Sequence, residues 1–328
     1  MRSFTRKIVF LMVLGVFLTG FTPYACAEKK EQTYAMVVFL NGSEFFNWAY
    51  AGMADAAKLL GEHVKVELHG PKDWDATLEA KAIIQLTHRK VDGIIATAGD
   101  AKKMIPSIRR ADKSGIPVIL FDSDSPESDR LAFVGTNNYN AGFEAGTEMG
   151  KWLGGKGDIG ISTFKGPAHL QERVNGFKAG VSAVYPNAKI IEVDDEGKTD
   201  RAGPKITAML KVNPNIKGIF AAHGNPGPGA AQAVRKLGLQ GKVHIMGFDF
   251  GSEVVKLVEN GELRATVGQN PYLMGYISML LAYSARHPTQ VQSANGKMGH
   301  TPKEIDTGVR ILKKADMADL KAGPPVVK

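Results

Sequence analysis

Aromatic side chains gather where the first predicted strand gives way to a helix. The strand-like run 34–40 ends in a polar turn at 41–44, and Phe45, Phe46 and Trp48 follow at the start of a helical pattern. In an open α/β sheet, the carboxyl ends of the strands face the crevice in which ligands bind. Phe46 also begins an apolar helical stripe, so core packing is the alternative for this residue. Phe45 and Trp48 fall on another face of the helix, where they are harder to bury.

Two carboxylates stand at the same position of later strands. Asp122 follows the apolar run Val118–Phe121, and Asp249 follows the run Val243–Gly247 with one residue between. A carboxylate accepts hydrogen bonds, and it can therefore bind the hydroxyl groups of a ligand. The alternative for each residue is an acid in a solvated loop.

The sequence lacks the common motifs of catalysis. It has no G-x-S-x-G, no H-E-x-x-H, a single cysteine and eight dispersed histidines, so that no catalytic residue, metal ligand or cofactor is predicted. One rival is the spacing Gly224-x-x-Gly227-x-Gly229, which follows a predicted strand and has Asp249 about 20 residues later. This spacing is similar to a dinucleotide-binding turn, but the glycine order is reversed and two prolines stiffen the loop. An exported Rossmann-type enzyme is therefore the distant alternative.

The N-terminus has the three parts of a secretory signal peptide. Basic residues at positions 2, 6 and 7 precede an uncharged apolar run over 8–21 and an A-x-A site at 25–27. The apolar run is shorter than the roughly 20 residues of a membrane-spanning helix. Residues 1–27 are therefore predicted to be a signal peptide that is cleaved after Ala27, which places the mature protein in the periplasm. Lipidation of Cys26 is the alternative, although the residues before it do not match a lipoprotein signal.

The positive charge of the chain is diffuse. Removal of the signal peptide takes away three basic residues and no acidic one, which lowers the formal net charge from +8 to +5. No run of five or six like charges occurs, and Lys and Arg alternate with Asp and Glu throughout the sequence. This pattern indicates an ordinary solvated surface, so no nucleic-acid partner is predicted.

Strand-like and helical runs alternate along the mature chain. Such alternation predicts an α/β protein with parallel sheets and helices on both faces of each sheet. The second half repeats the scheme of the first, which favours two similar doubly wound lobes. The predicted strands are 34–40, 64–68, 93–97, 118–121, 132–134, 158–162, 189–193, 218–222, 243–247 and 265–268, and helices are predicted at 76–88, 102–113, 140–152, 171–184, 202–211 and 230–237.

Seven motifs in order carry a family resemblance. They are the aromatic pair Phe45-Phe46, VDGIIATAGD at 91–100, GIPVILFDSDS at 115–125, VGTNNYNAGFEAG at 134–146, QERVNGFKAGV at 171–181, MGFDF at 246–250 and ATVGQNPYLMG at 265–275. With these motifs the mature chain resembles the sugar-binding branch of type I periplasmic binding proteins, the ribose- and galactose-binding group that feeds ABC importers.

This resemblance implies two parallel-sheet lobes that are joined by three hinge strands and close on a ligand. The hinge crossings are expected near Thr136–Asn138, Gln269–Pro271 and Ile305–Gly308. The N-terminal lobe would then comprise residues 28–136 and 270–304, and the C-terminal lobe residues 137–269 and 305–328.

The resemblance also implies a set of ligand-binding residues. A sugar has apolar C–H faces and a rim of hydroxyl groups, so its site needs aromatic surfaces and a few fixed polar groups. Phe45 and Phe46 match the stacking pair of the family, Asp122 and Asp249 its carboxylates, Arg173 its second-lobe arginine and Gln269 its hinge amide. The alternative for Arg173 is a surface salt bridge.

Several positions depart from the family pattern and leave the ligand open. His223 and Gly224 stand where relatives have Asn-Asp, so that His223 or Asn225 is expected to replace the lost polar contact. Ser43 stands where relatives often have Asn, and Ser123 where several have Arg. The predicted function is capture of a monosaccharide or small polyol by a monomer that partners an ABC permease. A receptor of the same fold that acts on a membrane sensor kinase is the alternative, and neighbouring genes would distinguish the two.

Overall fold

The first lobe is built on a parallel six-stranded sheet. The computed structural model describes residues 30–288 and 301–320, and from Gln32 onwards these form one compact unit. The sheet has the order β11-β5-β4-β3-β1-β2, and all of its pairs are parallel. Its strands are β1 (Gln32–Val37), β2 (Val64–His69), β3 (Gly93–Ala96), β4 (Val118–Phe121), β5 (Ala132–Gly135) and β11 (Glu304–Asp306). Its helices are α1 (Glu44–Leu60), α2 (Ala76–Arg89), α3 (Ala101–Lys113) and α9 (Pro271–Arg286).

The second lobe repeats this architecture. Its sheet has the order β12-β10-β9-β8-β6-β7, in which only the pairing of β12 with β10 is antiparallel within the described residues. The strands are β6 (Asp158–Thr163), β7 (Ile190–Asp194), β8 (Ile216–Ala221), β9 (His244–Phe248), β10 (Ala265–Gly268) and β12 (Arg310–Leu312). The helices are α4 (Asn138–Leu153), α5 (Ala168–Val184), α6 (Thr199–Val212), α7 (Pro226–Lys236) and α8 (Ser252–Glu259), followed by a 3₁₀ helix at Lys314–Leu320.

The chain passes between the two sheets three times, which confirms the predicted fold class of two similar parallel-sheet lobes. The crossings lie between β5 and α4, between β10 and α9, and between β11 and β12. The predicted residue boundaries of the lobes remain a prediction. The last boundary was predicted between residues 304 and 305, and it falls within β11.

Close helix packing fixes the helices that carry the candidate site residues. In the second lobe, a Cβ atom on Gly142 of α4 would lie 1.9 Å from the carbonyl oxygen of Arg173 on α5, and one on Gly176 would lie 1.9 Å from that of Tyr139. Only glycine allows two backbones to come this close. In the first lobe, Gly275 of α9 approaches the carbonyl oxygen of Ala49 on α1 in the same way. Because Arg173 lies on α5 and Phe45 on α1, this packing positions both side chains.

The predicted signal peptide at residues 1–27 lies outside the described residues. Among the helices that the structure describes, none has the length and apolar character that a membrane span requires.

Candidate functional site

All nine predicted site residues line one cavity of about 350 Å³ between the two lobes. They are Ser43, Phe45, Phe46, Asp122, Arg173, His223, Asn225, Asp249 and Gln269. The residues come from both lobes because the carboxyl ends of the two sheets face each other. Their role in ligand binding stays a prediction.

The aromatic wall of the cavity belongs to the first lobe. Phe46 is only 3% exposed and packs edge-on against Phe39, Phe45 and Phe121, so it is part of the core as well as of the cavity lining. Phe45 is half-buried, with its ring centroid 5.5 Å from that of Phe46. Trp48 also borders the cavity. Phe45 therefore presents ring surface to the cleft and Phe46 supports it from behind.

Asp122 and Asp249 occupy equivalent places in the two lobes. Asp122 directly follows β4 and Asp249 directly follows β9. Both have left-handed backbone conformations, with φ of 62° and 63°, although neither is glycine. Such conformations in non-glycine residues often occur at functional sites, where the surrounding structure compensates their strain. The two aspartates thus project from matching turns into one cleft.

Burial changes the protonation of these carboxylates. Burial first, and then the charge of Asp249, raise the pKa of Asp122 to about 7, although the charge of Arg173 acts in the opposite direction. Burial also raises the pKa of Asp249, although Arg173 and a hydrogen bond from Gln269 act in the opposite direction. Within the described residues no hydrogen bond reaches the Asp122 carboxylate. Asp122 is therefore free to accept hydrogen bonds from a ligand.

Arg173 lies buried beneath the second-lobe side of the cleft. Its Nη1 donates to the carbonyl oxygen of Ala222 at 2.7 Å, and its Nε and Nη2 donate to Asn138 Oδ1 at 3.2 and 2.6 Å. Its guanidinium carbon lies 3.5 Å from the ring centroid of Phe248. Burial lowers the pKa of Arg173 to about 10, which still leaves it charged at neutral pH. The predicted alternative of a surface salt bridge is wrong, because the side chain is 3% exposed.

His223 is held in a fixed orientation by a buried carboxylate. Its Nε2 lies 2.9 Å from Asp195 Oδ1, and Asp195 also accepts hydrogen bonds from Ser162 Oγ at 2.8 Å and from the Gly197 N–H at 2.9 Å. Burial acts to raise the pKa of Asp195, but these hydrogen bonds outweigh it and hold the pKa below its usual value. The side-chain amide of Asn225, by contrast, donates to the carbonyl oxygen of Gly197 at 2.8 Å.

Gln269 and Ser43 differ in whether their side chains already have a hydrogen-bond partner. Gln269 Nε2 donates to Asp249 Oδ1 at 2.9 Å, which leaves the second carboxylate oxygen of Asp249 for other donors. Ser43 precedes α1 but its hydroxyl does not cap the helix, so this hydroxyl is available to the cleft.

Trp74, Phe164 and His169 are among the cleft residues that sequence reasoning missed. Burial, together with the charges of Arg173 and His223, lowers the pKa of His169 to about 3, so its imidazole is neutral. His169 stands four residues before Arg173 on α5, and this spacing is a signal that places both on one helix face. Phe164 directly follows β6, which is the same strand-end signal that indicated Phe45.

In the part of the chain that the structure describes, a hydrogen-bonded contact and an aromatic contact join the lobes across the cleft. The Glu44 carboxylate accepts hydrogen bonds from the Ser252 N–H and the Ser252 hydroxyl, both at 2.7 Å. Glu44 begins α1 of the first lobe and Ser252 begins α8 of the second, so an acid of one lobe caps a helix of the other. The ring of Trp74 meets that of Phe164 edge-on, with 6.3 Å between centroids.

The geometry is that of a binding site for a small polar ligand with an apolar face. Aromatic rings, the carboxylates of Asp122 and Asp249, the guanidinium of Arg173 and the imidazoles of His169 and His223 converge from two lobes on one cleft. In residues 30–288 and 301–320 no group of three His, Cys, Asp or Glu side chains is arranged to hold a metal ion. In the dinucleotide-like motif, Gly227 and Gly229 lie within α7, and Gly229 serves packing because a Cβ there would lie 2.7 Å from the Gly203 nitrogen on α6.

The two parallel-sheet lobes and the cleft between them are the architecture of a periplasmic binding protein. A model of the periplasmic binding protein domain matches residues 34–286, and the chain belongs to this family.

Proteins similar to this chain include binding proteins for a sugar and for a polyol. The chain is 29% identical to the D-allose-binding periplasmic protein of Escherichia coli, over 85% of this chain and 90% of the relative. It is 30% identical to the xylitol-binding protein of Mycolicibacterium smegmatis, over 82% and 77% of the two chains. Among solved structures, the sugar-binding protein of a sugar ABC transporter from Bacillus halodurans superposes with a TM-score of 0.81 at 31% identity, covering 87% of this chain and 99% of that one.

Proposed function

We propose that this protein captures a neutral monosaccharide or small polyol in the cleft between its lobes and delivers it to an ABC importer in the periplasm. One observation carries the proposal: Phe45, Asp122, Arg173 and Asp249 line a single cavity, two from each lobe. The aromatic ring suits the C–H face of a sugar, and the carboxylates and guanidinium suit its hydroxyl groups. The D-allose and xylitol specificities of two relatives support the same ligand class.

The ligand-binding roles follow from this proposal. Phe45 would stack on the ligand, while Asp122 and Asp249 would accept hydrogen bonds from its hydroxyl groups. Arg173, His223 and Gln269 would orient hydroxyls from the second lobe and the hinge. Because a ligand between the lobes contacts both of them, it stabilises the conformation in which they touch. We propose that the protein acts as a monomer after cleavage at Ala27 and catalyses no reaction.

A thermal-shift screen tests the ligand class. Each of D-allose, D-ribose, L-arabinose, D-galactose and xylitol is added at high concentration and compared with amino acids and nucleotides. A ligand at 100 times its dissociation constant adds about 2.7 kcal/mol to the free energy of unfolding, which raises the melting temperature by a few degrees. Asp249→Ala is expected to lose this response. A response to amino acids or nucleotides, with none to sugars or polyols, would contradict the proposal.

The partner at the membrane is a separate part of the proposal. An importer and a membrane sensor would both recognise the closed lobes, so the cleft itself favours neither. Genes for a permease and an ATPase beside this one would support delivery to an importer, whereas a sensor-kinase gene in their place would support the receptor role.

A further inference from the structure

A second chamber of the same cleft lies beside the site already described. Its volume is about 940 Å³, and it shares four lining residues with the first chamber: Trp74, Asp122, Phe164 and His169. The first chamber, at about 350 Å³, is near the lower end of the range for small-molecule pockets. The cleft therefore has more volume next to the site than one small ring occupies.

The second chamber is bordered by half-exposed aromatic rings from both lobes. Trp74, between β2 and α2, is 44% exposed and stacks on Phe39 with 4.0 Å between ring centroids. Tyr139, in the first turn of α4, is 46% exposed. Phe143 is the one other aromatic residue among the large exposed apolar residues of the described chain, and it does not line either chamber. Exposed aromatic rings are thus concentrated at this chamber, where flat surfaces can stack on the C–H faces of a sugar.

Polar groups without internal partners complete the second chamber. In the described residues, neither the Glu172 carboxylate nor the Tyr139 hydroxyl makes a hydrogen bond, and the neutral His169 imidazole makes none where the chambers meet. These groups offer both donors and acceptors to hydroxyl groups.

The charge of the lining disfavours an anionic ligand there. The lining contains one lysine, Lys102, and six acidic residues. The acidic residues are Asp100, Asp122, Asp124, Glu172, Glu304 and Asp306. Several of the acids are already engaged, such as Asp124 with Arg130 and Asp306 with the Asn137 N–H. The chamber therefore suits a neutral, hydroxyl-rich group.

We propose that the cleft binds a two-ring ligand, a neutral disaccharide or glycoside, with its second ring in the second chamber. The first ring lies against Phe45, Asp122 and Asp249, and the second lies between Trp74 and Tyr139. This inference rests on the proposed function, because the first ring uses the sugar site.

Calorimetric titration with matched sugars tests the second-ring site. Maltose and cellobiose are compared with D-glucose, lactose and melibiose with D-galactose, and xylobiose with D-xylose. At least one disaccharide is expected to bind about tenfold more tightly than its monosaccharide, a difference of about 1.4 kcal/mol. Tyr139→Ala is expected to reduce this ratio to about one, whereas Phe143→Ala, an exposed aromatic of the same helix, is expected to keep the wild-type ratio.

The outcomes separate this inference from the proposed function. If monosaccharides bind but no disaccharide binds more tightly, the second-ring site is wrong and the proposed function stands. A preference for a disaccharide that survives in Tyr139→Ala also overturns the second-ring site. If no sugar of this titration and no sugar or polyol of the thermal-shift screen binds, both the second-ring site and the proposed function are overturned.

Discussion

The Glu44–Ser252 contact predicts that an acid at the edge of the cleft controls ligand affinity through lobe closure. Its two hydrogen bonds, each 2.7 Å long, join a carboxylate of the first lobe to the N-terminus of a helix in the second. Hydrogen bonds to a charged group contribute about 1.5–3 kcal/mol when shielded, and an acid at an exposed helix N-terminus about 0.3–1 kcal/mol. Because this contact is solvent-exposed, we expect the two hydrogen bonds together to stabilise the closed lobes by about 1–2 kcal/mol.

This free energy stabilises only the conformation in which the lobes touch. Glu44→Ala is therefore expected to weaken binding of the sugar identified by the screen by about 5- to 30-fold, mainly through faster dissociation. Titration calorimetry gives the affinity and stopped-flow fluorescence the dissociation rate. Asp55→Asn is the matched control, since Asp55 lies on the same helix but bonds to Lys58 and Tyr272 of its own lobe.

A double-mutant cycle decides whether the loss of affinity in Glu44→Ala comes from the contact with Ser252. If Glu44 acts through Ser252, then Ser252→Ala should weaken binding by itself and have little further effect in the Glu44→Ala background. Unchanged affinity in Glu44→Ala, or losses that simply add in the double mutant, would refute the reasoning.

Three other predictions follow from the site and its support. Phe46 is packed in the core, so Phe46→Ala should lower the free energy of unfolding by about 3–5 kcal/mol in chemical denaturation. Phe45→Ala, by contrast, should leave the stability of the apo protein nearly unchanged and weaken sugar binding. The opposite pattern would make Phe45 the core residue. The pKa of Asp122 is raised to about 7, so between about pH 4 and pH 7 the folded apo protein binds a proton that the unfolded chain releases. The contribution of Asp122 to the free energy of unfolding therefore falls as the pH rises through this range. Ligand hydroxyls that donate to Asp122 favour its ionised form, so sugar affinity measured by calorimetry should rise up to about pH 7 and then level off. Asp122→Asn should flatten this profile. An affinity that falls over this range would contradict the role of Asp122 as a hydrogen-bond acceptor for the ligand. Gly142→Ala should lower the melting temperature far more than Gly227→Ala, because a Cβ on Gly142 would lie 1.9 Å from the Arg173 carbonyl oxygen, whereas one on Gly227, also in a helix, would lie 3.5 Å from its nearest neighbour, Leu263. Equal effects would show that α4 and α5 can separate without cost.

The parallel sheets of the two lobes could be predicted from the alternation of strands and helices, but the ends of strands and helices depend on hydrogen bonds that this alternation does not show. The first strand was predicted to run to Leu40 and ends at Val37, because the N–H of Phe39 donates to Thr97 Oγ1 rather than to a neighbouring strand. The helix predicted to begin at residue 140 begins at Asn138, with Asn137 capping its first turn.

The candidate site could be assembled from the sequence because most of its residues follow strands. Asp122 and Asp249 directly follow β4 and β9, and Phe45 lies in the first turn of α1, the helix after β1. Parallel strands bring their carboxyl ends to one edge of the sheet. Glu44 and Ser252 are 208 residues apart, and their contact depends on how far the lobes close, which no local pattern encodes. The pairing of His223 with Asp195 was missed for a different reason, since the partners come from two loops of the second lobe that no local pattern connects.

A crystal structure with the sugar identified by the thermal-shift screen tests the central claim most directly. The account predicts a sugar ring against Phe45, with its hydroxyl groups within hydrogen-bond distance of Asp122 from the first lobe and of Arg173 or Asp249 from the second. A sugar bound outside the cleft, or held by residues of one lobe alone, would contradict it.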